Sequence, residues 1–177
     1  VIYAENSELN YQKALAVSLK LIKSNLVFHK SPRQFMQQLA QTNSEEAFHV
    51  FDLPKLVERY EFWEKHLPEV VPYYAVKTNP DPVMVSILSE LGAGFDCASL
   101  NEIQQVLSTG LNPEKIIFAH TRKSIKSIKI ASKLGVKKLT FDSLEELKKI
   151  HSVAPDSNLV LRIKTNDKHS LTPLSTK

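Results

Sequence analysis

The sequence predicts an α/β protein, the amino-terminal part of a TIM-type (β/α)8 barrel, and three observations point there. Strand-like apolar runs begin near Val71, Gly94, Ile116, Leu139 and Leu159, at intervals of roughly 22 residues that suit βαβ crossovers in a parallel sheet. Amphipathic segments fill the gaps, each closed by Gly or Pro. The short unit repeats without a change of pattern, which suits a barrel better than an open, doubly wound sheet. A whole barrel needs eight strands and ~250 residues, whereas this chain has 177. It is therefore expected to stop before the barrel closes.

Residues 1–45 are weakly patterned and read as an N-terminal extension, an edge strand or helix. Within it, Tyr11 to Phe28 is apolar and weakly basic but lacks the charged, apolar, small-residue order of a secretory signal. Ser31-Pro32 and the polar link Gln41-Thr42-Asn43-Ser44 punctuate the extension. The barrel is expected over 46–177. Phe48-His49-Val50-Phe51 reads as a short strand, after which Asp52 caps a helix and Pro54 sits in its first turn, where a missing N–H does no harm. Leu56, Val57, Tyr60 and Trp63 recur at helical spacing as its apolar face.

The strand of Val71-Pro72-Tyr73-Tyr74-Ala75-Val76-Lys77-Thr78-Asn79 comes next and ends on a lysine. Helices are then expected from Val83 to Leu91, stopped by Gly92; from Leu100 to Leu107, stopped by Gly110; from Ser124 to Leu134, stopped by Gly135; and from Leu144 to Ile150, stopped by Pro155. Ser99-x-x-Glu102 and Ser143-x-x-Glu146 read as capping boxes at two of the entrances. Gly92-Ala93-Gly94 follows a helix and precedes a strand, the reverse of a dinucleotide-binding turn.

Composition narrows the function classes. The chain is 42% hydrophobic and 24% charged, as a globular protein with an ordinary core is. Its net charge of +4 is mild, and the excess gathers between Lys115 and Lys149, which suggests an acidic partner surface or nothing. Neither a nucleic-acid nor a membrane partner is expected, since no uncharged apolar run approaches the ~20 residues of a membrane span. One cysteine, Cys97, excludes an internal disulfide framework and fits a reducing, cytoplasmic setting. The six histidines have no metal-ligand spacing.

A barrel collects its chemistry at the carboxyl ends of its strands. There stand Lys77, Asp96, His120, Asp142 and Arg162, each amid apolar neighbours, and five ionisable groups on one rim make a charged pocket the economical reading. A lysine at such a position is either reaching solvent or used, and a lysine of depressed pKa is the usual Schiff-base nucleophile for a carbonyl cofactor. Plainer roles stand beside this. Asp96 could be a turn residue, Asp142 is expected to help cap the helix of Ser143, and Lys77, Asp96 and Arg162 could form one structural ion network. Lys123, Lys126, Lys129, Lys133, Lys137 and Lys138 read mostly as a solvated helix face whose spacing also makes a basic stripe.

Four runs carry a resemblance: Pro72-Tyr73-Tyr74-Ala75-Val76-Lys77-x-Asn79, Gly94-Phe95-Asp96-Cys97-Ala98-Ser99-x-x-Glu102-Ile103, Thr140-Phe141-Asp142-Ser143 and Leu159-Val160-Leu161-Arg162-Ile163. In order and spacing they resemble the amino-terminal half of the eukaryotic ornithine decarboxylases. The resemblance implies an alanine-racemase-like (β/α)8 barrel followed by a β-domain, the cofactor pyridoxal 5'-phosphate, and a homodimer with active sites at its interface. It implies decarboxylation of ornithine to putrescine. By position, Lys77 resembles the lysine that binds the cofactor covalently, Ala75 lies beside it in the cofactor pocket, Asp96 and Arg162 match charged residues near the cofactor, and Glu102 matches a carboxylate of that network.

Thr78 departs from the family's usual Cys or other small residue, and His120-Thr121-Arg122 replaces its common Asn-Pro-Cys run. The family's ring-stacking histidine, phosphate site, pyridine-pairing glutamate and substrate residues lie beyond the position of Lys177. The carboxyl-terminal half-barrel and β-domain are thus expected to be absent, and this chain alone inactive. The resemblance also admits a non-catalytic, antizyme-inhibitor-like regulator, the antizyme-binding region corresponding to Ile125–Lys148, and a related lysine, arginine or diaminopimelate decarboxylase. Retention of Lys77, Asp96 and Arg162 favours the enzyme.

Overall fold

A computed structural model describes residues 2–3, 26–27, 31–42 and 47–164. The segment Tyr11 to Phe28 lies outside the described residues except for Leu26–Val27, as do Asn43, Ser44 and 165–177. Three short parallel strands, β1 (Ile2–Tyr3), β2 (Leu26–Val27) and β3 (Phe51–Asp52), form one small sheet in the order β2-β1-β3. Helix α1 (Pro32–Thr42) buries Phe35.

The expected strand at Phe48–Phe51 is displaced: 47–50 have no regular structure, and β3 is Phe51–Asp52. Asp52 nevertheless caps helix α2 (Leu53–His66), accepting from the Lys55 N–H at 3.0 Å. That helix buries Leu53, Val57 and Tyr60. Trp63, expected on the same face, is 38% exposed, because α2 runs past its neighbours and every residue from 61 to 71 is exposed. Its indole N–H donates to the Val70 carbonyl at 2.7 Å, which folds the connection back toward the sheet.

The main sheet has five parallel strands in sequence order, β4 (Tyr73–Ala75), β5 (Gly94–Cys97), β6 (Ile116–Phe118), β7 (Lys138–Phe141) and β8 (Asn158–Leu161). One helix fills each crossover: α3 (Pro82–Leu91), α4 (Leu100–Leu107), α5 (Ile125–Lys133) and α6 (Leu144–Val153). This is the unbroken (β/α) repeat of a barrel wall. Helix α6 runs three residues past the expected end at Ile150 and stops at Val153, two residues before Pro155. At the end of α3, Gly92 takes φ +101°, a left-handed turn that favours glycine, and its N–H caps the helix on Ser89.

Side chains alternate across a strand, so the sheet has two chemically distinct faces. Phe95, Cys97, Ile116, Phe118 and Leu139 meet Ile103, Val106, Ile128, Ala131 and Ile150 of the helices in one buried core. The alternate positions Ala75, Asp96 and Ile117, aligned by strand register, point to the other face. That face carries the polar chemistry. No described helix is long and apolar enough to cross a membrane.

Candidate functional site

Lys77 is not in the strand itself. Beta-strand β4 ends at Ala75, and Val76–Thr78 form a single 3-10 turn that anchors Val76 in the core and leaves Lys77 exposed. The following residues hold this turn locally. The Tyr74 hydroxyl donates to the Asn79 carbonyl at 3.1 Å, the Asn79 side chain accepts from the Asp81 N–H at 3.0 Å, and Asp81 caps α3 through the Val83 N–H at 2.9 Å.

Asp96 is a strand residue rather than a turn residue, half-buried and in register with Ala75. Burial raises its carboxyl above the ordinary range, the Lys77 ammonium acts against that shift, and Glu102 adds to it. Its carboxylate accepts no hydrogen bond from any described side chain or N–H. Glu102 lies just beyond, its carboxylate accepting from the Ala98 N–H at 2.5 Å while its own N–H donates to Ser99 Oγ at 3.2 Å. The forward half of the expected capping box therefore forms, and the return contact lands one residue early, on Ala98.

The sheet thus brings Ala75, Lys77, Asp96 and Glu102 to the carboxyl ends of β4 and β5. Arg162 sits apart from them, immediately after β8, where its N–H donates to the Phe141 carbonyl at 2.8 Å. Its exposed guanidinium pairs with Asp142. The expected network of Lys77, Asp96 and Arg162 is corrected accordingly, because two strands separate the groups and Asp142 is Arg162's nearer carboxylate. Asp142 is also not the cap of α6. Ser143 fills that place, accepting from the Glu146 N–H at 3.3 Å. His120, after β6, accepts from the Arg122 N–H on Nδ1 at 3.1 Å.

Lys123 departs furthest from its sequence setting. It leaves the basic stripe and is 3% exposed, with its ammonium 3.0 Å from Glu146 Oε1, 2.9 Å from the His120 carbonyl and 2.6 Å from the Thr140 carbonyl. Lys149 holds the other Glu146 oxygen at 2.5 Å. Burial alone raises the Glu146 carboxyl, but hydrogen bonds from Lys149 and Lys123 outweigh it and keep the group below the ordinary range. Glu146 therefore turns into the protein and away from the second expected capping box. Lys138 also leaves the stripe, donating to the Tyr73 hydroxyl at 2.6 Å and the Glu114 carbonyl at 2.8 Å. Cys97 is buried and its thiol is pushed up to about 12, largely by burial, so it is no nucleophile.

An exposed primary amine beside a half-buried carboxylate that has no hydrogen-bond donor among the described residues fits the aldehyde end of pyridoxal phosphate. The comparisons agree. Residues 53–177 match the family model described as pyridoxal-dependent decarboxylase, pyridoxal binding domain. Antizyme inhibitor 2 of Xenopus laevis is 42% identical over 89% of this chain and 34% of its own length. Ornithine decarboxylase of Schizosaccharomyces pombe is 42% identical over 75% of this chain and 31% of its own. The arginine decarboxylase of Paramecium bursaria Chlorella virus superposes with a TM-score of 0.75 at 34% identity, covering 81% of this chain and 39% of that one. The chain spans about a third of the length of the curated relatives it matches. It belongs to the pyridoxal-phosphate-dependent decarboxylase family of the eukaryotic ornithine decarboxylase type, and corresponds to the amino-terminal, pyridoxal-binding portion of that fold.

Proposed function

We propose that this chain is the lysine-bearing part of a cytoplasmic, homodimeric decarboxylase that converts L-ornithine to putrescine and carbon dioxide. The observation that carries the proposal is the placing of Lys77 at the carboxyl end of β4 beside Asp96 at the carboxyl end of β5. Lys77 is the residue that binds the cofactor covalently, and its exposure leaves the amine open to an aldehyde. Ala75, small and in register with Asp96, leaves room beside them. Asp96 sets a carboxylate beside the Lys77 amine, and Glu102 fixes the main chain that follows Asp96. Arg162, oriented by Asp142, contributes a cation on the far side of the rim. Once bound, the cofactor supplies an electron sink for the carbanion left when carbon dioxide departs.

The division into an extension over 1–45 and a barrel portion over 46–177 belongs to the same proposal. So does the inactivity of the 177-residue chain by itself, since the resemblance assigns the phosphate and pyridine-nitrogen contacts to residues outside it. Ornithine as substrate is supported by the 42% identity to the Schizosaccharomyces pombe enzyme. Release of carbon dioxide from ornithine, lysine, arginine and diaminopimelate by the full-length protein tests it. Ornithine is expected to be preferred, and preference for another amino acid would reassign the substrate.

The equal identity to an antizyme inhibitor over more of this chain favours a second reading, a non-catalytic regulator that binds antizyme through Ile125–Lys148. Full-length protein that binds antizyme but neither takes up pyridoxal phosphate nor releases carbon dioxide would establish that reading instead.

A further inference from the structure

Helix α4 reaches both halves of the candidate site. Near its start, the Glu102 carboxylate holds the N–H of Ala98, two residues after Asp96. Three residues later, on the same side of the helix, the Gln105 side-chain amide donates to the carbonyl oxygen of Pro80, three residues after Lys77. Between them Ile103, and just beyond them Val106, are fully buried in the core, which fixes the rotation of the helix. The other side-chain ties of the 76–81 turn are local, from Tyr74 and from Asn79 to its own neighbours. Among the described residues, Gln105 is the side chain from outside the β4–α3 segment that hydrogen-bonds this turn.

We propose that Gln105 is a positioning residue that sets the Lys77-bearing turn against Asp96, so that the amine and the carboxylate face one incoming aldehyde. The proposal rests on the assignment of Lys77 as the cofactor lysine. The chemistry of the contact is specific. A carbonyl acceptor needs a donor, an amide N–H supplies one, and a glutamate of the same shape does not. Losing such a bond changes the local opening equilibrium by about 1 kcal/mol, or about fivefold, and amide exchange reads local opening directly.

The test compares Gln105→Glu, Gln105→Leu and Gln105→Lys with the parent full-length protein. Exchange of the Thr78, Asn79 and Asp81 amides is measured in the apoprotein, and half-saturation by pyridoxal phosphate is measured with the labelled lysine mapped after borohydride reduction. In the Glu and Leu variants, exchange should rise about fivefold and the half-saturation concentration should rise as well, with the thermal midpoint nearly unchanged. Gln105→Lys, which restores a donor, should bring both back toward the parent. Label at Lys77 with parental exchange and half-saturation in Gln105→Glu would overturn the positioning role alone. Parental label at another lysine would overturn the assignment of Lys77 on which it stands.

Discussion

Lys123 carries its ammonium into the protein among three acceptors, Glu146, the His120 carbonyl and the Thr140 carbonyl, which join the carboxyl ends of β6 and β7 to α6. Removing the ammonium takes one of two cations from Glu146 and leaves the His120 and Thr140 carbonyls without this donor, so Lys123→Met is expected to cost about 3–5 kcal/mol in urea unfolding. Lys123→Met combined with Glu146→Leu should recover part of that loss. The pH dependence follows from Glu146, whose folded-state carboxyl lies below its ordinary 4.5. The stability it contributes is complete above that value and is lost as the pH falls through the depressed folded value. Urea midpoints of the parent should decline below about pH 4.5, and those of Glu146→Gln should decline less. Asp96 has the opposite sign. Its raised carboxyl makes the folded state less favourable as the pH rises through and above its ordinary 3.8. Asp96→Asn is therefore expected to raise the urea midpoint at neutral pH while weakening uptake of pyridoxal phosphate. Sequence spacing placed Lys123 in the solvated stripe because a lysine at three-residue intervals from its neighbours carries no mark of burial. Its partner lies 23 residues away, at a distance that only the packing of α6 on the sheet defines.

Within the elements, the β4–β5 pair depends on a missing side chain. A Cβ built on Gly94 would stand 2.7 Å from the Tyr73 ring, which lies across it. Gly94→Ala should force that ring aside and cost about 1–3 kcal/mol. The altered Tyr73 hydroxyl contact to Lys138 should be visible as a change in tyrosine absorbance. The strands, helices and stops from Val71 to Pro155 were legible in the sequence, because period, Gly stops and Ser caps are local signals. Long-range matters were not. Trp63 fits the apolar face of α2 by spacing, yet the helix outruns what it packs on. The two capping boxes gave their Ser-to-N–H halves, whereas their glutamates turned to Ala98 and Lys123, partners set by tertiary contact. Arg162 was legible as a rim residue, but its pairing with Asp142 follows from the β7–β8 register.

Across the whole molecule, a helix-covered core supports an opposite sheet face that gathers the ionisable groups, and this division makes a barrel wall a platform for chemistry. The outer strand β8 exposes Leu159, Val160 and Leu161, apolar side chains that a further (β/α) unit would cover. Lys77 is the amine that the fold presents beside Asp96. The most direct measurement is borohydride reduction of the full-length protein with pyridoxal phosphate, followed by peptide mapping of the modified lysine. Modification of Lys77 is expected, with its loss in Lys77→Arg. Modification at another lysine, or none in the folded parent protein, would contradict it.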